Sequence, residues 1–112
     1  MRSRVGRRLP AHATAAGKAL LAASGPVEPG YAGDLAGVRT KGFAVEDEEL
    51  EAGTAAVASA VTVDGAPVAA IGVGGPAPRL RRVGLDELGE MTSIFAEELA
   101  ADLARDRARA AG

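Results

Sequence analysis

At 112 residues, with 47% hydrophobic and 25% charged side chains, the chain has room for one domain and the composition of an ordered globular protein. A net charge of −2 argues against a general polyanion binder, and the absence of cysteine excludes disulfides, thiolate metal sites and Cys nucleophiles. There are 26 alanines but only two Phe, one Tyr and no Trp, so the side chains that bury most area are scarce and the core must be thin.

Met1 to Pro10 is an irregular, arginine-bearing start. A helix is expected over residues 11–23, where Thr14 can cap and Ala19, Leu20, Ala22 and Ala23 favour helical backbone. Gly17 within it suggests a close approach by another backbone, and Ser24-Gly25-Pro26 stops it. Residues 26–37 are turn-like, with Leu35 to Arg39 as the tail of a short helix. Lys41 to Val45 reads as a short extended piece, followed by the acidic run Glu46-Asp47-Glu48-Glu49.

Residues 55–74 carry a β-hairpin signal. Two Val- and Ala-rich runs flank Asp64-Gly65, a pair that readily supplies the positive φ of a tight turn. Gly72, Gly74 and Gly75 weaken the second strand and mark a bulge or a close approach. The last element is a long amphipathic helix over residues 85–108. Its stripe is Leu85, Leu88, Thr92, Phe95, Leu99 and Leu103, widened by Met91 and Ile94. Acidic residues near its start and arginines near its end suit the helix dipole. No apolar run follows Arg2 and Arg4 as in a signal peptide and none is long enough for a membrane span, so the expected location is cytoplasmic.

Three stretches, in order, resemble the effector-binding domain of the IclR family of transcription regulators. The first is Leu9-Pro10-Ala11-His12 through Gly17-Lys18-Ala19 to Ala22, similar to that family's opening helix. The second runs from Val38-Arg39 through Gly42-Phe43-Ala44-Val45 to Glu48-Glu49 and Gly53, like its acidic loop entering a central strand. The third is Val68 to Pro76 followed by Arg79, like its final strand. The resemblance covers nearly the whole chain after Arg8. It implies an α/β (α+β), GAF-like or profilin-like domain with an antiparallel sheet flanked by helices. It also implies that the chain begins inside that domain, without the winged helix-turn-helix and the early strands.

What the resemblance implies for the site is specific. Ala15 and Ala16 match helix-start positions whose backbone N–H groups can meet an effector carboxylate, against ordinary packing of small residues. Glu46 matches an acidic pocket position, where aspartate is common, that accepts from a ligand hydroxyl or amine; the plainer reading is a solvated acidic turn. Ala56 stands where a small or sulfur-bearing residue is found. Gly72 and Gly74 replace serines, which either enlarges the pocket or removes hydroxyls worth about 1–3 kcal/mol per group to a buried polar ligand. A less polar or different ligand is therefore expected.

His12, the only histidine, reads as structural, because no nucleophile lies at meaningful spacing. Gly17-Lys18-Ala19 lacks the upstream glycine and following Ser or Thr of a phosphate loop. Arg2, Arg4, Arg7 and Arg8 read as a solvated terminus. The chain is thus expected to be no enzyme and to carry no cofactor, metal or DNA-binding residue of its own. Its expected partners are a small organic or aromatic acid, further copies in a dimer or tetramer, and DNA only through an absent domain. A non-functional fragment of such a regulator and a stand-alone ligand-binding module are the alternative readings.

Overall fold

The computed structural model describes residues 14–24 and 32–111; His12 and the four early arginines lie outside them. Asp64 and Gly65 both adopt positive φ, 53° and 80°, and close a two-residue hairpin between β2 (Thr54–Val63) and β3 (Ala66–Pro76). β1 (Ala44–Asp47) pairs antiparallel on the other side of β2, giving the sheet order β1-β2-β3. The β2–β3 register slips between Val61 and Thr62, leaving Val68 as the extra residue beside Pro67, which has no N–H to donate.

β2 is central and buried on both faces, so its side chains separate into two layers by parity. Its even positions Ala56, Ala58 and Ala60 meet α1 (Ala15–Ala23), and Val38 of α2 (Ala32–Lys41) packs into the same cluster. Its odd positions face α3 (Ala77–Val83) and α4 (Leu85–Ala111). On that side Ser59 and Thr92 are buried and their hydroxyls lie 3.0 Å apart. Thr92 Oγ1 also donates to the Gly89 carbonyl at 2.8 Å, so Ser59 is the donor of the pair. The fold is α+β, an antiparallel sheet between two helical layers.

Several boundaries differ from expectation for identifiable reasons. Lys41 is the end of α2 rather than part of a strand; Gly42, at φ 87°, turns the chain, and β1 begins only at Ala44. α2 begins at Ala32, inside the stretch read as turn-like, because burial of Leu35 (2% exposed) and packing of Val38 outweigh the poor propensity of its glycines. α3 was not anticipated, although Pro78 near its start is a helix-entry signal.

The buried side of α4 keeps only part of the expected stripe: Leu85 and Leu88 pack against the core and Thr92 is buried, but the rest turns outward. Gly89, Thr92 and Ala96 face the sheet, while Met91, Ile94 and Phe95 are 50–57% exposed. The cause is close approach: the buried Phe43 ring occupies the space where a Cβ on Gly89 would sit, at 2.2 Å. Only the small-residue side of α4 can come that near the sheet.

Candidate functional site

Helix α1 starts at a defined cap. Thr14 is extended (φ −102°, ψ 148°) and its Oγ1 accepts the Gly17 N–H at 2.9 Å, while its carbonyl accepts the Lys18 N–H at 2.9 Å. That leaves the amides of Ala15 and Ala16, at the first two helical positions, without acceptors inside the helix. The Ala15 side chain is buried against Ala44 and Ala58; the Ala16 side chain is exposed.

Beneath α1 the register sets the floor. Glu46 pairs with Ala56, and Ala56 pairs with Gly74, so these three candidates form one row across the sheet. The next row is Ala44, Ala58 and Gly72. Both rows share the α1 face, because residues two apart on a strand point the same way. The sequence candidates from three strands thus come together near the α1 start, with Gly72 and Gly74 exposed on the outer strand. The two glycines are not equivalent. A Cβ at Gly72 would lie 2.6 Å from the Val57 carbonyl oxygen and 3.1 Å from the Ala58 Cβ, whereas one at Gly74 would lie 3.5 Å from the Ala56 Cβ.

The acidic run is not a uniform solvated turn. Glu46 is only 5% exposed, and its Oε2 accepts the Glu49 N–H at 2.9 Å. Glu48 takes the left-handed conformation (φ 60°), which folds the segment back on itself. Glu49 turns to α1, where its Oε1 meets Lys18 Nζ at 2.5 Å; Lys18 also donates to the Val45 carbonyl at 3.0 Å. Asp47 and Glu48 instead accept from Arg81 of α3 at 2.5 and 2.6 Å. The Glu48 carboxyl is held below the usual carboxylate range by the Arg81 hydrogen bond first and by the Gly53 N–H second, and the two acids raise Arg81 further above its ordinary value.

Thr14, expected as the helix cap, and Lys18, within the stretch that resembles the family's opening helix, both neighbour the candidate residues. No side-chain role was read for Lys18, yet a lysine on the sheet-facing side of an amphipathic helix is itself a signal for a buried partner.

Three cavities are bounded by described residues. One of about 250 Å³ lies between α1, α2 and β2, lined by Ala19, Ala22, Val38, Arg39 and Ala60 among others. One of about 340 Å³ is lined by Lys18, Val38, Lys41, Phe43 and Glu49 among others. The third, about 230 Å³, lies between Thr62 of β2 and Ser93 of α4. None of these three is lined by the six candidate residues. Among the described residues no group of three or more His, Asp or Glu side chains could hold a metal ion, and no helix is long and apolar enough to cross a membrane.

Comparison with known proteins gives a consistent picture. Residues 29–101, more than half of the chain, match the family profile described as bacterial transcriptional regulator IclR C-terminal. The chain superposes on the Agobacterium tumefaciens repressor BlcR (TM-score 0.80, 25% identity, 91% of this chain and 51% of that one). It superposes equally on the Thermotoga maritima IclR (TM-score 0.80, 25% identity, 93% and 51%). It is also similar to a double mutant of the inducer-binding domain of the PobR transcription factor from Acinetobacter, solved in complex with 3-hydroxybenzoic acid (TM-score 0.70, 27% identity, 85% and 67%). This chain therefore spans about half the length of the first two. Among curated proteins none matches.

Proposed function

The chain belongs to the family of bacterial IclR transcriptional regulators, as its C-terminal domain, and on that premise we propose that it binds a small organic or aromatic acid between the start of α1 and the sheet. The observation that carries this reading is the row Glu46, Ala56 and Gly74 beneath the capped start of α1. The free amides of Ala15 and Ala16, at the positive end of the helix dipole, suit a carboxylate. The buried Glu46 carboxylate suits a ligand hydroxyl or amine, and its second oxygen is oriented by the Glu49 bond to Oε2. Between these two ends the alanines and glycines offer a flat apolar floor for a ring or short chain. The acid bound by the PobR domain has this pattern of carboxylate, ring and hydroxyl, which supports the same ligand class here.

Binding at this place couples three elements. Lys18 ties α1 to the turn at Glu49, and Asp47 and Glu48 tie that turn to α3 through Arg81. A ligand that draws α1 toward the sheet acts on the same turn and, through it, on the α3–α4 layer. In a full-length regulator this supplies a route by which an effector alters subunit arrangement, and hence the DNA affinity of an attached domain.

The test is thermal unfolding of the chain with and without 3-hydroxybenzoate and a panel of short-chain and aromatic carboxylic acids. Binding at a hundredfold excess over Kd adds about 2.7 kcal/mol and raises the midpoint in a concentration-dependent way. A cooperative transition that no acid moves contradicts the proposal.

A further inference from the structure

We propose that β1 carries a second ligand site, which holds the phosphate group of a small phosphomonoester between Lys18 of α1, Lys41 of α2 and the backbone amide of Val45. The starting observation is the cavity of about 340 Å³ that Lys18, Lys41, Phe43, Val45 and Glu49 line together. None of the residues proposed to hold the carboxylic acid lines it, so the inference stands whether or not an acid binds at the α1 start.

Strand register leaves a backbone donor free at this place. A Cβ on Gly72 would lie 2.6 Å from the Val57 carbonyl oxygen, so that carbonyl points at β3. In an antiparallel strand the N–H and C=O of one residue face the same way. Val57 therefore makes no ladder bond with Val45, its neighbour on β1, and both backbone groups of Val45 point away from β2. Lys18 Nζ donates to the Val45 carbonyl on that outer side, at 3.0 Å. The Val45 N–H beside it has no acceptor among the described residues.

The charges around the cavity select the ligand. Lys18 is 7% exposed, so its ammonium is held in place, whereas the side chain of its partner Glu49 is 46% exposed and free to turn to water. An ammonium has three N–H donors, and Lys18 uses two, on Val45 and Glu49. Lys41 is exposed, stands 5.7 Å from the Phe43 ring centre and pairs with no carboxylate among the described residues. Two lysines and one acid leave one net positive charge, which becomes two when Glu49 turns away. A phosphomonoester, with about 1.5 to 2 negative charges near pH 7, matches that exchange and replaces the Glu49 carboxylate on Lys18. Its three terminal oxygens suit donors that arrive from three separate elements, where a planar carboxylate offers only two. Val38 and Phe43, in the same lining, give an apolar wall for a short body. Glu49 also donates its N–H to Glu46, so the exchange acts on the turn that orients that acid.

Titration of the ¹⁵N-labelled full chain with phenyl phosphate and, separately, with inorganic phosphate, with no carboxylic acid present, tests this through amide chemical shifts. The expected result is saturable shifts largest around Lys18, Val45 and Glu49, weaker at high salt, with phenyl phosphate bound more tightly than inorganic phosphate. Lys41→Ser, at an exposed position, weakens binding by about threefold or more. Glu49→Gln removes the competing carboxylate, keeps the backbone bond to Glu46, and strengthens binding by a similar factor. Glu46→Gln leaves phosphate binding unchanged, which separates this site from the one proposed for the acid. Each variant's amide spectrum reports whether the fold is kept. No saturable shift, shifts centred on Ala15 and Ala16 that Lys41→Ser does not alter, weaker binding in Glu49→Gln, or inorganic phosphate bound as tightly as phenyl phosphate each overturn the proposal.

Discussion

Replacing the two floor glycines by serine should shift stability in opposite directions. At Gly72 the new Cβ would sit 2.6 Å from the Val57 carbonyl oxygen, well inside van der Waals contact, and 3.1 Å from the Ala58 Cβ. Neither neighbour can give way easily, since both belong to the central strand and are buried. Overpacking of this kind costs about 1–3 kcal/mol. Against it stands about 0.5–1 kcal/mol regained when glycine leaves a strand interior. The net loss at Gly72 is therefore at most about 2.5 kcal/mol, and about 1.3 kcal/mol at the midpoints of the two ranges. At Gly74 the nearest atom is 3.5 Å away, ordinary contact, so only the gain of about 0.5–1 kcal/mol remains. For a domain of this size each kcal/mol moves the melting temperature by about 4 °C. Gly72→Ser should thus melt roughly 5 °C lower and Gly74→Ser roughly 2–4 °C higher, measured by circular dichroism at 222 nm and checked against urea midpoints. Shifts of the same sign at both positions would refute the register argument. Gly74→Ser also places a hydroxyl in the row of Glu46, and should favour acids with an additional polar substituent.

Three further outcomes follow from contacts outside that row. Lys18→Met removes the hydrogen bond to Val45 and the tie to half-exposed Glu49, and should lower the urea-unfolding free energy by about 1–2 kcal/mol, most of it from the Val45 carbonyl left without its partner. Gly89→Ala should destabilise by about 1 kcal/mol or more despite the better helix propensity of alanine, because the buried Phe43 ring lies in the way; in a Phe43→Leu background the penalty of the same change should shrink. Glu48 is depressed in the folded chain, so its contribution is present above its unfolded value, near 4.3, and disappears as pH falls through the lower folded value. The stability difference between the wild type and Arg81→Gln should accordingly stay constant from pH 7 to about pH 5 and close only below about pH 4, as measured by urea midpoints across that range.

The hairpin and the long helix were legible because each rests on local chemistry. Asp64-Gly65 specifies its own turn, and the apolar period from Leu85 to Leu103 continues for about five turns. The face that α4 buries was not legible, since it depends on Phe43, more than forty residues earlier, meeting a glycine instead of a leucine. α2 stayed half hidden because its glycine-bearing sequence gains helical structure only from the burial of Leu35 and Val38 against elements far along the chain. For the site, family likeness pointed to Glu46, Ala56, Gly72 and Gly74 separately; strand register then aligned three of them in one row. The division of the acidic run was beyond reach, since partners such as Lys18 and Arg81 are about thirty residues distant in either direction.

The central claim is that an acid sits between the start of α1 and the row Glu46, Ala56 and Gly74. Titration of the ¹⁵N-labelled chain with 3-hydroxybenzoate, followed by amide chemical shifts, tests it most directly. The account predicts saturable shifts that are largest at Ala15, Ala16 and the residues around Glu46 and Gly74, with the solvent side of α4 unchanged and with the response weakened in Glu46→Gln. Saturable shifts centred on α4 or on the cavity between Thr62 and Ser93, unaffected by Glu46→Gln, would contradict it.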